Sequence, residues 1–204
     1  MRTGLSFLVV EDEGLLRRVL ARGLRPHGEV EAVGTFAAAR LALRARKYDA
    51  FVVDVRLPDG DGMELIELAR KRCPGICVLV VTGSTDHEVI SRTLALGARY
   101  LLKPFDVTHL DFLAEEASSR RHARERRTKL ALDRWAKEYD LTETETELLL
   151  LGAQGVAREK FATRREVRPD TIRKQIQTLL QKTGDDTFEG AVNSLLREAV
   201  AEPT

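Results

Sequence analysis

Phe51-Val52-Val53-Asp54-Val55-Arg56-Leu57-Pro58-Asp59-Gly60-Asp61-Gly62 is the stretch on which the fold turns. A short apolar run ends in one carboxylate, and Pro58, Gly60 and Gly62 then turn the chain. In a parallel sheet, ligands bind outside the carboxyl ends of the strands. Asp54 would stand at that edge. Aspartate is also a common turn former, so its meaning depends on what the chain places beside it.

Working outward, Leu5 to Val10 reads as a strand followed at once by Glu11-Asp12-Glu13, and Leu16, Val19, Leu20 and Leu24 recur at helical spacing. Val30 to Val33 is a second strand, Ala37 to Ala45 a helix, and Tyr48 to Val53 the third strand. Met63 to Lys71 is helical, Ile76 to Val81 is a fourth strand ending at Thr82-Gly83, and Val89 to Leu96 is a helix stopped by Gly97. Tyr100-Leu101-Leu102 forms a fifth strand ending at Lys103-Pro104, and a helix starts at Val107. Strands alternate with helices, and the central strands are apolar throughout. This predicts a doubly wound, five-stranded parallel sheet covered on both faces.

The strand ends then carry Glu11 and Asp12, Asp54, Thr82 and Lys103. Carboxylates brought together suit a hard divalent cation, most simply Mg²⁺. A hydroxyl and an ammonium suit an anion with several oxygens. The combination predicts phosphoryl transfer onto Asp54. Glu11, Asp12, Asp54 and the backbone carbonyl of Arg56 are the expected metal ligands, with Lys103 and Thr82 on the phosphoryl oxygens. A dinucleotide site would need a glycine-rich turn after the first strand, and here that turn is acidic. A hydrolase with two aspartates in one loop is also disfavoured, because position 56 is arginine.

Over about Leu5 to Ala117 the chain resembles the receiver domain of two-component response regulators, a flavodoxin-like fold. The resemblance rests on Glu11-Asp12, Asp54, Pro58, Gly62, Thr82, Tyr100 and Lys103-Pro104-Phe105. It implies an aspartyl phosphate at Asp54, a sensor histidine kinase or small phosphodonor, Mg²⁺, a cis Lys103–Pro104 bond, Thr82 as switch hydroxyl and Tyr100 as switch aromatic.

Composition sets wider bounds. The chain has 204 residues, 43% of them hydrophobic, and a net charge of +1. No stretch is long and apolar enough to span a bilayer, no secretory signal opens the chain, and a cytoplasmic protein is expected. Cys73 and Cys77 frame a turn and form neither a redox pair nor a zinc pattern. From Asp106 to Tyr139 there is no proline or glycine, and arginines crowd the stretch from Arg120 onward. This predicts a long helix that leaves the receiver as a basic connector, open to subunit pairing, DNA phosphate contact or a spacer role.

Thr142 and Glu145 then form a capping box, Val156 to Thr163 is a short second helix, and Pro169-Asp170 opens a third. In that third helix Ile172, Ile176, Leu179 and Leu180 face one way, and Arg173, Lys174, Gln177 and Gln181 the other. Phe188, Val192, Leu195 and Leu196 mark a fourth. A short helix, a tight connection and a basic helix predict a helix-turn-helix. Arg173, Lys174 and Gln177 are the candidate groove contacts, and Lys160 and Arg168 the candidate phosphate contacts.

From Leu141 to about Val192 the chain resembles the four-helix output domain of LuxR/NarL type, through Leu141-Thr142, Glu145, Glu147-Leu148-Leu149, Leu151, Ala153, Gly155, Phe161-Ala162, Val167, Thr171-Ile172 and Ala191-Val192. Several residues depart from that pattern. Gly152 and Arg165 stand where apolar residues are usual, Gln175 where histidine is common, Arg168 where a Ser or Thr cap is usual, and Lys182-Thr183-Gly184 where Lys-Leu-Gly is common.

The expected organisation is a receiver at 1–117, a helical connector at 118–139 and an all-α four-helix helix-turn-helix domain at 140–204. The expected function is a phosphorylation-controlled, DNA-binding transcription regulator. It would act on double-stranded DNA as a homodimer when active, and would catalyse at most its own phosphorylation and dephosphorylation. Two rivals are a phosphorylated signalling adaptor whose second domain binds a protein, and a stand-alone metal-dependent phosphatase.

Overall fold

The computed structural model describes residues 4–201. The first half of the chain holds strands β1 (Leu5–Val10), β2 (Gly28–Val33), β3 (Ala50–Val53), β4 (Arg56–Leu57), β5 (Gly60–Asp61), β6 (Cys77–Thr82) and β7 (Arg99–Leu102), with helices between all but β3, β4 and β5. Five of them form one sheet in the order β2-β1-β3-β6-β7, with every pairing parallel. The two-residue strands β4 and β5 pair antiparallel as a small hairpin directly after Asp54.

The period-two geometry of a strand divides each central strand between two cores. Leu8, Val10, Phe51, Val53, Val78 and Val80 point to one face, among Leu43 of α2 (Phe36–Ala45) and Met63, Leu65 and Ile66 of α3 (Gly62–Arg72). Phe7, Val9, Val52, Leu79 and Val81 point to the other. There they meet Leu20 and Leu24 of α1 (Gly14–Leu24) and Leu110, Leu113 and Ala117 of α5 (His109–Glu138). Burial on both faces is why β3 and β6 read as unbroken apolar runs. Helix α4 (His87–Ala95) is capped by Asp86, whose carboxylate accepts the Glu88 N–H.

Helix α5 is continuous for 30 residues, as expected for the connector, but begins at His109 rather than Val107. The Asp106 carboxylate accepts the Thr108 N–H and the Asp106 carbonyl accepts that of His109, so residues 106–109 form a turn before the helix. Backbone compactness divides the chain into two units between Arg121 and His122.

In the second unit, α6 (Glu143–Ala153), α7 (Phe161–Arg164), α8 (Pro169–Thr183) and α9 (Phe188–Ala201) enclose a core with Leu132 and Trp135 of the last turns of α5. The capping box at α6 is formed in both directions: Thr142 Oγ1 accepts the Glu145 N–H, and the Glu145 carboxylate accepts the Thr142 N–H. The expected second helix over 156–163 instead divides into a 3₁₀ turn (Arg158–Lys160) and the short α7. The connection to α8 is closed by Glu166 with a left-handed φ of 53°. Gly184, at φ 75°, ends α8 with its N–H on the Leu180 carbonyl. The departure at 183 therefore leaves the glycine stop intact.

Gly152 is matched to its surroundings. A Cβ there would lie 2.5 Å from Val192 and 2.9 Å from Phe188, so α9 occupies the space that a larger residue would need. Trp135 donates its indole N–H to Glu198 at 2.6 Å and meets the Tyr139 ring edge-on. Cys73 and Cys77 are free and buried, and burial pushes the Cys77 thiol up to about 11, as suits packing residues. Among the described residues no helix is long and apolar enough to cross a membrane.

Candidate functional site

The ends of adjacent parallel strands bring the expected site together. Glu11 and Asp12 follow β1, Asp54 follows β3, Thr82 ends β6 and Lys103 follows β7. Backbone bonds extend the strand pairing past the regular strands: Glu11 N–H to the Val33 carbonyl, Asp54 N–H to Val10 and Lys103 N–H to Thr82. Glu11, Asp54 and Thr82 are thus carried by buried strands, whereas Lys103 follows the partly exposed β7.

Glu11, Asp12 and Asp54 each offer a carboxylate oxygen within 4.8 Å of the others. Lys103 Nζ lies 2.6 Å from Asp54 Oδ2 and 2.8 Å from Glu11 Oε2. Burial pulls the Lys103 ammonium down, but the two carboxylates outweigh it and hold the group above its ordinary value. Burial raises the Glu11 carboxyl from its ordinary value, against the pull of Lys103. Glu11 and Asp54 are buried, and Asp12 is exposed. With all three carboxylates ionised, the cluster and Lys103 leave two negative charges, and every donor is a hard oxygen. That set fits a divalent cation such as Mg²⁺.

Arg56 meets Asp54 through its amide, whose N–H donates to Asp54 Oδ1 at 3.0 Å. Thr82 is fully buried, and its Oγ1 accepts the Ser84 N–H at 3.1 Å. The half-buried Tyr100 donates its hydroxyl proton to the Ser84 carbonyl at 2.5 Å. The backbone of Ser84 therefore joins the expected switch hydroxyl to the expected switch aromatic. The Lys103–Pro104 peptide is cis.

Sequence reading missed the residues that hold the loop after Asp54. Asp59 accepts the N–H groups of Phe36 and Ala37 at 2.7 and 3.0 Å, at the start of α2. Asp61 caps α3 through the Met63 N–H and lies 3.7 Å from Arg92 of α4. Each is an acid near a helix start, which is a recognisable signal for Asp61. The partner of Asp59 lies more than twenty residues away and leaves no local trace.

In the second unit, Arg173, Lys174 and Gln177 are exposed on α8, while Ile172, Ile176 and Leu179 face the core. Arg173 pairs with Asp170 at 2.9 Å, but both side chains are about three-quarters exposed (74% and 79%). Such a pair contributes at most ~1 kcal/mol and leaves the guanidinium available to another anion. Lys160 is exposed at the end of the 3₁₀ turn, and Arg168 is exposed at the cap position of α8, where it makes no side-chain cap bond. Lys182 donates to Glu145 at 2.9 Å and to the Asp140 carbonyl at 2.7 Å. Burial raises the Glu145 carboxyl, and Lys182 and the Thr142 N–H outweigh it, so it sits below the ordinary value.

Two departures from the output-domain pattern satisfy each other. Arg165 is mostly buried and donates to Gln175 Oε1 at 3.1 Å and Thr144 Oγ1 at 3.1 Å, with Glu147 Oε2 at 2.8 Å from its Nε. One guanidinium thereby joins α6 to α8. Arg165→Met should remove these bonds and lower the stability of the second unit by about 1–3 kcal/mol. Thermal unfolding of the full chain measures this, and an unchanged transition would show that the clasp contributes nothing net.

A family model described as the response regulator receiver domain matches residues 7–114. The DNA-binding transcriptional activator DevR/DosR of Mycobacterium tuberculosis is 30% identical over 188 residues, covering 86% of this chain and 87% of that protein. The response regulator protein VraR of Staphylococcus aureus is 25% identical over 187 residues, covering 87% and 90%. Among solved structures, a CheY-like receiver domain protein from Methanospirillum hungatei matches with a TM-score of 0.55 at 26% identity, over 59% of this chain and 98% of that one. Full-length FixJ from B. japonicum shares the fold over 100% of both chains, with a TM-score of 0.53 at 23% identity. The chain therefore belongs to the response-regulator family, with a receiver domain followed by a helix-turn-helix output domain of LuxR/NarL type.

Proposed function

We propose that this response regulator accepts a phosphoryl group on Asp54 and thereby controls how its second domain binds DNA. The observation that carries the proposal is the convergence of Asp54, Glu11, Asp12 and Lys103 at one sheet edge. An Asp54 carboxylate oxygen attacks phosphorus as the bond from phosphorus to the donor breaks. That donor is the imidazole nitrogen of a sensor histidine kinase or the acyl oxygen of a small acyl phosphate. The leaving imidazole then carries its proton on the other ring nitrogen, and a leaving carboxylate needs none. Glu11, Asp12 and Asp54, with the Arg56 carbonyl, would hold Mg²⁺, which supplies charge neutralisation for the phosphoryl oxygens. Lys103 pairs with one of those oxygens. Thr82 moves to donate its hydroxyl proton to another, and that movement pulls on the Ser84 N–H that its oxygen accepts. Ser84 then passes the change to Tyr100.

The segment 118–139 serves as the connector and 140–204 as the output domain. Phosphorylation favours the homodimer, in which Arg173, Lys174 and Gln177 of each copy read the major groove while Lys160 and Arg168 contact phosphates. The chemistry is confined to the protein's own phosphorylation and its loss, and the site of action is the cytoplasm. DevR/DosR, similar along most of the chain, is described as a DNA-binding transcriptional activator, which supports the DNA reading.

Treatment of the full chain with an acyl phosphate and Mg²⁺, followed by mass mapping and selection from a random duplex pool, tests both halves. Label at Asp54 and recovery of a duplex motif are the expected results. The double variant Arg173→Ala/Lys174→Ala should then bind the selected duplex at least about 30-fold more weakly, at about 1 kcal/mol or more per lost contact. Unchanged binding would move recognition elsewhere. Failure of the phosphorylated protein to select any duplex would favour a protein-binding output.

A further inference from the structure

We infer that Arg17 is a positioning residue for the cation-binding carboxylates, holding the Glu11–Asp12 turn in its binding shape. The inference rests on the reading of Glu11, Asp12 and Asp54 as a cation site. Arg17 lies one turn into α1, and its guanidinium reaches backbone carbonyls of the acidic turn rather than its carboxylates. Its Nη1 donates to the Glu11 carbonyl at 2.6 Å and to the Asp12 carbonyl at 3.1 Å. Its own amide N–H donates to the Glu13 carbonyl at 2.9 Å. One residue thus binds the backbone of all three members of the acidic run.

A second observation is independent of those bonds. Gly34 follows β2, and a Cβ built on it would lie 2.6 Å from Arg17 Nη1 and 3.2 Å from Cζ. The guanidinium occupies the space that the missing side chain leaves. The Gly34 φ lies outside the left-handed region, so an alanine there is not strained by backbone conformation and would instead displace the arginine tip.

The physical need for such a clamp follows from the charges. Glu11, Asp12 and Glu13 are consecutive acids, and the first two are held close to Asp54. Like charges at this separation repel, and repulsion would spread the turn. Lys103 restrains Asp54 and the Glu11 carboxylate from one side. Arg17 restrains the turn from its backbone side through charge-assisted bonds, which are the stronger class of hydrogen bond. A residue that orients ligands without touching the ion commonly changes metal affinity by about 10–100-fold when removed.

Arg17 also carries a positive charge, which taken alone opposes binding of a cation. The two effects have opposite signs. If orientation dominates, removing Arg17 weakens cation binding. If charge dominates, removal tightens it.

Calorimetric titration of the full chain with Mg²⁺, supported by Mn²⁺ electron paramagnetic resonance, reads the difference. We expect Arg17→Met to raise the Mg²⁺ Kd about tenfold. Gly34→Ala should raise it in the same direction with Arg17 still present, and Arg17→Lys should restore part of the loss. Unchanged or tighter binding by Arg17→Met, with its circular dichroism intact, overturns the proposal. If Arg17→Met does not fold, Gly34→Ala decides: weaker Mg²⁺ binding supports the clamp and unchanged binding overturns it. A wild-type chain that binds no Mg²⁺ overturns the cation-site reading instead, and the clamp with it.

Discussion

Asp54→Asn should remove phosphoryl incorporation completely while leaving the receiver folded. The carboxamide has nearly the same shape as the carboxylate but no anionic oxygen to attack phosphorus. The fold should tolerate it because the strand-end bond from the Asp54 amide to Val10 belongs to the backbone. Lys103 also keeps Glu11 as a partner when Asp54 loses its charge. The loss of one half of this shared ion pair is offset in part by relief of repulsion among the carboxylates. The net stability change is therefore expected within about 1–2 kcal/mol in either direction. Intact-mass measurement after incubation with an acyl phosphate and Mg²⁺ checks the first part, and thermal unfolding the second. Stoichiometric labelling of the variant would falsify the assignment of Asp54 as the acceptor.

The second large effect is expected at Gly62. A Cβ on this residue would lie 2.1 Å from the Asp54 carbonyl oxygen and 3.0 Å from the Val55 Cα. Both are backbone atoms of the loop that carries Asp54, so no side-chain rotation can relieve the clash. Gly62 also donates its N–H to the Val55 carbonyl at 2.8 Å, which fixes the approach. Gly62→Ala should cost about 3 kcal/mol, at the upper end for forced overpacking. For a domain of this size that lowers the melting temperature by on the order of 15 °C. The loop movement should also slow labelling of Asp54. A variant that melts within a few degrees of wild type would show that the loop can shift without penalty.

Gly62 and Gly152 illustrate what the sequence makes legible. Gly62 stood in the motif Pro58-Asp59-Gly60-Asp61-Gly62, and its importance followed from resemblance. Gly152 stood out only as a departure, because nothing local reveals that Phe188 and Val192 fill its space from α9. The parallel sheet was readable because both faces of β3 and β6 are buried, which leaves an unbroken apolar run. The β4–β5 hairpin was not, since two residues per strand carry no periodicity.

The same division holds within the site. Glu11, Asp12, Asp54, Thr82 and Lys103 could be listed because each lies at a strand end, and parallel strands bring such ends together. Asp59 and Ser84 could not, because their parts are played through backbone groups of Phe36 and Ala37 and through Ser84's own backbone. A side chain bonded to a distant backbone leaves no residue-type pattern. The exposed face of α8 was legible from helical spacing, since apolar and polar residues separate cleanly on it. The split of the preceding helix into a 3₁₀ turn and α7 was not, because such short pieces lack a full period.

The pairing of Arg165 with Gln175, Thr144 and Glu147 has a consequence for how the output domain can be altered. Arg165 and Gln175 should be coupled: the effect of replacing either one depends on the other. A chimera that imports a foreign α8 lacking glutamine at 175 would leave the Arg165 guanidinium with a mismatched neighbour. Reverting Arg165 alone would strand Gln175 in the complementary way. Transplants should therefore exchange α6 through α9 as one cassette, cut at the Asp140 junction, so that altered DNA preference is not confused with a broken scaffold.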